Sequence, residues 1–195
     1  MGRLVYAAIT SLDLFVNDEH GDFQWAAPDA EVHAFVNDLE RPVGTYVYGR
    51  RMYEIMRVWE TLDLADEGPE MADYAAVWKA ADKVVFSSSL PEVTTTRTRL
   101  ERTFDPEQVR ALVADAPSDV AIGGPTVAAH AFAAGLVDDV HLFLNPVIIG
   151  SGTRALPEGV RTDLELVDEH RFANGVVHLH HRARREAGDD GPAPG

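Results

Sequence analysis

Two short glycine motifs limit what this chain can fold into. Thr45-Tyr-Val-Tyr-Gly-Arg-Arg-Met-Tyr-Glu54 and Asp119-Val-Ala-Ile-Gly-Gly-Pro-Thr126 each carry a short apolar run that ends on glycine and passes into a helical pattern. A strand that hands over to a helix in this way leaves the first N–H groups of the helix without partners and aimed at one spot. Such a spot attracts phosphate. Two of them in one small chain, one with the paired Arg50 and Arg51, suit a ligand that carries phosphates at separate points. A dinucleotide fits that description.

Around these motifs the hydrophobic pattern alternates in period. Residues 4–9 form a continuous apolar run, as expected of a strand buried on both faces. Val32, Phe35, Val36 and Leu39 fall at helical spacing, with Asp29 available near the start. Tyr46–Tyr48 reads as a second strand and residues 50 to about 58 as a helix. Met71, Tyr74, Trp78 and Ala81 mark a further helix that leads into a strand at Lys83–Phe86. The β-branched run Val93 and Thr94–Thr96 suggests a short strand there. Asp105-Pro-Glu opens a helix with Val109, Leu112 and Val113 inward, Val120–Ile122 is a strand, and Pro125 begins a helix that Gly135 stops.

The last third changes character. Val140, Leu142 and Leu144 alternate, and Ala173-Asn-Gly175, flanked by Leu164–Phe172 and Val176–Arg182, is a hairpin signal. This order predicts one α/β domain over residues 1–183, a mixed and mainly parallel sheet with helices on both faces and an antiparallel C-terminal hairpin. Residues 184–195 read as a disordered acidic tail. Thr10 to Pro28 is long and irregular, and loops of that length commonly cover or bind a ligand.

Composition narrows the function. A chain of 195 residues, 46% hydrophobic, can bury the core of one domain. The absence of cysteine excludes disulfides, zinc–thiolate sites and thiol catalysis. No apolar stretch has the length of a membrane span, and the N-terminus lacks a signal-peptide pattern, so a cytoplasmic protein is expected. The net charge of −15 argues against a nucleic-acid partner. It also requires that an anionic cofactor be drawn in by local cations and N–H groups.

Each candidate admits a second reading. Gly49-Arg50-Arg51 can capture a pyrophosphate and an adenosine-ribose 2′-phosphate, or can turn the chain and leave two solvated arginines. Ile122-Gly123-Gly124-Pro125-Thr126 can admit a ligand close to the backbone, or form a tight turn that needs positive φ. Together the two motifs favour cofactor binding, although the Gly-x-Gly-x-x-Gly fingerprint is absent. Ser87-Ser88-Ser89 can offer hydroxyls to a phosphate or be a plain loop, and Gly150-Ser-Gly152 reads as a turn. Asp13 can line a cleft at the end of the first strand or cap its own loop. His178 and His180 share a strand face, but with no third ligand in the pattern the reading is an exposed polar face, and no metal site is expected.

Ser11-Leu-Asp13, Gly49-Arg50, Ser87-Ser88, Ala121–Thr126 and Asn145-Pro-Val-Ile-Ile-Gly-Ser-Gly-Thr153 appear in one order. Over residues 3–182 that order resembles the dihydrofolate reductase-like family, and within it the reductase domain of riboflavin biosynthesis, the RibD C-terminal type. The resemblance implies an eight-stranded mixed sheet, NADPH as hydride donor and often a homodimer. It implies that the Gly49-Arg50 and Gly123-Gly124 turns hold the cofactor phosphates, with a bond between the two glycines that is commonly cis. Ser87 and Ser88 would lie near the adenosine and Ala8-Ile9 beside the nicotinamide.

The implied acceptor is a C=N or C=O carbon of a small heterocycle. A phosphoribosylaminopyrimidine, 5-amino-6-(5-phosphoribosylamino)uracil, comes first and a pterin second. Asp13, Trp25 and Tyr53 are candidates for substrate contact, and Arg97, Arg99 and Arg154 are the cations on offer for a substrate phosphate. Asp29 lies near the helix where a dihydrofolate-type carboxylate is expected, and helix capping explains it as well. The chain departs from the family pattern at Met52, where threonine often follows the Gly-Arg turn, and at Leu14, where glycine is common. No deaminase zinc motif accompanies it. The alternative is a nucleotide-binding module on the same fold without catalysis.

Overall fold

The computed structural model describes residues 2–184, so the expected tail lies outside the described residues apart from Arg184. Eight strands form the central sheet: β1 (Leu4–Thr10), β3 (Val43–Gly49), β4 (Asp82–Phe86), β5 (Thr98–Glu101), β6 (Asp119–Gly123), β7 (Asp139–Leu144), β9 (Leu164–Arg171) and β10 (Val177–Ala183). Their order is β5-β4-β3-β6-β1-β7-β10-β9. The strands from β5 to β7 run parallel, and β10 and β9 close one edge antiparallel. A separate ribbon joins β2 (Phe15–Asn17) to β8 (Thr153–Arg154).

The helices cover both faces because the buried strands carry apolar side chains on both. On one face α1 (Ala30–Glu40) sets Val32, Phe35, Val36 and Leu39 against Phe143, Phe172 and Val176. Beside it α2 (Arg50–Met56) and α3 (Pro69–Ala80) bury Tyr53, Met56, Tyr74 and Trp78 against Tyr46, Tyr48 and Val85. On the other face α4 (Pro106–Asp115) and α5 (Pro125–Ala133) pack Val109, Val127, Ala131 and Phe132 on Leu4, Tyr6, Ile122 and Leu142. Asp29 caps α1 through its side chain, which accepts from Val32 N–H at 3.0 Å, and Asp105 does the same for α4. The 173–175 turn closes the hairpin as expected, with Phe172 N–H donating to Val176 carbonyl at 2.9 Å.

Four local expectations change. The run 93–96 is loop rather than strand: the chain passes through Arg97 at φ 54 before it reaches the β4 edge, where Lys83 faces Thr98. β-branched residues favour a strand only where a neighbour completes the ladder, and Thr94 N–H instead donates to the Tyr53 hydroxyl at 2.7 Å. Residues 10–28 are not wholly irregular, since β2 and a 3-10 turn at Gln24–Ala26 lie within them. The peptide bond between Gly123 and Gly124 is trans, as all described peptide bonds are.

The fourth change concerns β10. His178 is 2% exposed, because α1 roofs that face through Phe35 and β9 covers the edge. Its Nε2 sits 3.0 Å from Nδ1 of His141, where one ring donates and the other accepts. The polar strand face is thus an interior one.

Candidate functional site

Parallel strands that alternate with helices place all their carboxyl ends along one edge, and ligands of open α/β sheets bind there. Tyr6 pairs with Ile122 and Tyr48 with Gly123, so the ends of β1, β6 and β3 stand level. A cavity of about 1120 Å³ runs along that edge. Every residue singled out for cofactor contact lines it: Ala8 and Ile9 from β1, Gly49, Arg50 and Arg51 from the first glycine turn, Ser87 and Ser88 after β4, and Ile122, Gly123, Gly124, Pro125 and Thr126 from the second.

The local chemistry of these residues differs. Neither α2 nor α5 has a side-chain N-cap, which leaves their first N–H groups open toward the cavity edge. Gly124 has φ 94, a conformation that glycine adopts freely. At Gly123 a Cβ would stand 2.8 Å from the Tyr48 ring, so this glycine is required by packing. At Gly49 a Cβ would meet only Val127, at 3.6 Å. Arg50 is held by Glu54 at 2.8 Å and by the Ser89 hydroxyl at 3.1 Å. Arg51 is exposed and has no ion-pair partner among the described residues. The Ser87 hydroxyl accepts from the N–H groups of Ser89 and Leu90, which makes it a turn-former as well as a wall. Ser88 is exposed.

The three residues expected at the substrate lie elsewhere. Asp13 accepts from Gly150 N–H at 2.8 Å and Ile149 N–H at 3.3 Å, tying the 147–150 segment to the first loop. The Ser11 hydroxyl and those two N–H groups hold its carboxyl below the usual carboxylate range. Tyr53 is 1% exposed, and its hydroxyl is engaged by Thr94 and Thr95. Trp25 is half-buried, and its Nε1 has no partner among the described residues. None of the three is among the residues that line the cavity.

The cavity also contains groups that the sequence did not announce. Arg102, Phe104 and His130 join Ser89 at the glycine-turn end, where Phe104 and His130 stack at 5.4 Å. Arg102 donates to the carbonyls of Leu90 and Pro91. With β5 expected at 93–96, nothing marked Arg102 as a residue at a strand's carboxyl end. Between α1, α2 and the sheet the cavity continues past His33, Glu40, Tyr46, Tyr48, Trp59 and Tyr74. There Asn37 Nδ2 donates to Glu70 carbonyl and to Asp73, so its Oδ1 faces His33 and fixes the His33 proton on Nδ1. Burial pushes the Glu40 carboxyl up to about 7, against a smaller opposing effect of the Tyr46 hydroxyl. Burial also raises the phenols of Tyr46, Tyr48 and Tyr74.

A second cavity, about 350 Å³, lies at the amino ends of β1, β6 and β7. Asp139 is its hub, bonded by His180 Nε2 at 2.7 Å and by Arg3 and Arg182. Burial works against the Asp139 charge, yet these three partners hold its pKa below the ordinary value. Desolvation pushes His141 down to about 3 and His178 down to about 4, so both rings are neutral in the folded protein. Among the described residues no group of three or more histidine, aspartate or glutamate side chains is arranged to hold a metal ion, and no helix is long and apolar enough to cross a membrane.

The open N–H groups at two glycine turns, the free guanidinium of Arg51 and the apolar strand ends Ala8-Ile9 suit the phosphates and flat rings of a nicotinamide dinucleotide. An eight-stranded sheet of this order with such an edge defines a dihydrofolate reductase-like α/β domain. The chain belongs to the RibD C-terminal domain family, which it matches over residues 3–178. It is 25% identical over 184 residues to the uncharacterized protein YyaP of Bacillus subtilis (strain 168), covering 91% of this chain and 93% of that one. Two solved structures share the fold. A Shewanella sp. PV-4 protein provisionally assigned to riboflavin biosynthesis superposes with a TM-score of 0.73 at 17% identity, over 94% of this chain and 99% of that one. A pyrimidine reductase-like protein of Corynebacterium diphtheriae gives 0.68 at 14%, over 95% and 93%.

Proposed function

We propose that the protein is an NADPH-dependent reductase that delivers a hydride to a C=N or C=O carbon of a small heterocyclic substrate. The observation that carries this reading is convergence: both glycine turns, the paired arginines and Ala8-Ile9 line one continuous cavity that extends into a deep aromatic lobe. When bound, NADPH supplies the hydride, and the nitrogen or oxygen of the reduced bond takes up a proton. The chain supplies position and dryness. The glycine turns and Arg50 or Arg51 hold the phosphates, Ser87, Ser88, Phe104 and His130 flank the adenosine end, and Ala8, Ile9 and Gly123 wall the reacting end. His33, with its Nδ1 committed to Asn37, keeps Nε2 free to hold the proton.

The family favours 5-amino-6-(5-phosphoribosylamino)uracil as acceptor, with a pterin second. A homodimer is part of the same reading, supported by β9, an exposed edge strand with Leu166 and Val167 uncovered; light scattering that reports a monomer refutes it. A nucleotide-binding module without catalysis is the contrasting reading. A tryptophan-fluorescence titration with NADPH and NADH tests the first step, since Trp59 lines the cavity. Saturable quenching with NADPH preference, weakened by Arg51→Ala, is expected, followed by steady NADPH oxidation with a ring substrate. If neither nucleotide binds, the reductase reading falls; binding without turnover across a broad panel favours the module.

A further inference from the structure

We propose that the cavity at the amino ends of β1, β6 and β7 is a second binding site, which takes a small organic cation: a primary ammonium on an apolar body, held between the Asp168 carboxylate and Nδ1 of His178. It lies at the opposite edge of the parallel strands from the glycine turns, and it does not rest on the reductase reading. The first observation is the balance of charge. Asp38, Glu40, Asp119, Asp139 and Asp168 line this cavity, against one arginine, Arg3. Arg3 is committed to Asp119 and Asp139, each at 3.0 Å, and Asp38 is paired with Arg41 at 3.1 Å. Asp168 makes no ion pair among the described residues, and its charge reaches His178. α1 ends at Glu40 beside the cavity, and the carbonyl end of a helix adds to the negative field. The local field thus repels an anion and attracts a cation.

The second observation is a buried nitrogen. His178 is 2% exposed, and its Nδ1 has no hydrogen-bond partner among the described residues. Its other nitrogen is committed to His141 at 3.0 Å. Leaving such an atom bare inside a protein is costly, and in a cavity wall it marks where a ligand completes the bond. Desolvation keeps both rings neutral, so in one arrangement His178 Nε2 donates to His141 and Nδ1 is free to accept. A ligand N–H selects that arrangement. A metal ion does not fit. His141 and His180 stack at 4.0 Å with planes 15° apart, which sets their nitrogens side by side rather than toward one point, and His180 Nε2 is taken by Asp139. The third observation is shape. At about 350 Å³ the cavity stands at the small end of ligand sites, which span roughly 300–1,000 Å³. Val5, Phe35, Leu39, Pro42 and Val43 make the rest of its wall apolar, so the fitting ammonium comes on a hydrocarbon body about the size of one ring.

The test titrates the full chain with benzylamine, benzyl alcohol and benzoate at low salt, followed by NMR of the histidine rings. Benzylamine is expected to move the His178 and His141 resonances. It should bind at least about tenfold more tightly than the neutral alcohol, a difference that one charge-assisted hydrogen bond supplies, and benzoate should leave both rings unmoved. Asp168→Asn, on the exposed edge strand β9, is expected to remove about fivefold of the benzylamine affinity and leave benzyl alcohol unchanged. Four results overturn the proposal: benzyl alcohol or benzoate binding as tightly as benzylamine, shifts confined to His33 and His130 of the first cavity, no shift with any probe, or a benzylamine affinity indifferent to Asp168→Asn. The wild-type probe ranking decides the matter even if the variant folds poorly. The titration contains no nucleotide, so its outcome stands whether or not NADPH binds.

Discussion

Glu40 is the residue whose stability effect can be worked out most directly. Its carboxyl is held at about 7 in the folded protein against an ordinary value of 4.5. Below pH 4.5 both states carry the proton and Glu40 contributes no pH dependence. Between 4.5 and 7 the unfolded chain ionises while the folded protein keeps the proton, so stability falls as pH rises; above 7 the loss is complete. At about 1.4 kcal/mol per pH unit the total is about 3 kcal/mol. Glu40→Gln keeps the shape and removes the titration. Urea unfolding of both proteins from pH 4 to 8 is the assay. The variant should match the wild type at the acid end and grow more stable by about 3 kcal/mol at pH 8. Parallel curves, or a variant less stable at pH 8, refute the reasoning that burial strains this carboxyl.

Gly123→Ala drives a Cβ to 2.8 Å from the Tyr48 ring and should cost about 1–3 kcal/mol in thermal unfolding, along with NADPH affinity; an unchanged Tm would mean that the ring has room to move. Tyr53→Phe leaves Thr94 N–H without its acceptor, so a loss of about 1–2 kcal/mol with unchanged NADPH affinity is expected, and a fall in turnover at full stability would instead put the hydroxyl in the site. The imidazoles of His141 and His178 should stay neutral down to about pH 4 by NMR, because their folded values are depressed. Their contribution is therefore present above 6.5 and is lost as pH falls below it. A midpoint near 6.5 in the folded protein contradicts the burial of this pair.

What could be read without coordinates was whatever one segment settles by itself. The period of Val32, Phe35, Val36 and Leu39 places a helix, and Asp29 caps it whatever stands opposite. The glycine turns after β3 and β6 are equally local, and since parallel strands share one carboxyl edge, their meeting was implied by the α/β order. The position of β5 was not local. A ladder forms where β4 offers an edge, so Thr94 and Thr95 bond the Tyr53 hydroxyl instead, and Arg102 with Phe104 arrived at the cavity unannounced.

Sequence alone therefore determined the fold class, the capped helices and the glycine turns that line the cavity, because each follows from backbone chemistry within a few residues. Tertiary structure decided the rest. It drew Asp13 to Gly150, buried His178 under Phe35, and set Glu40 among three tyrosines. Desolvation and partnership depend on residues far apart in the chain, and a side chain's charge and role follow from both.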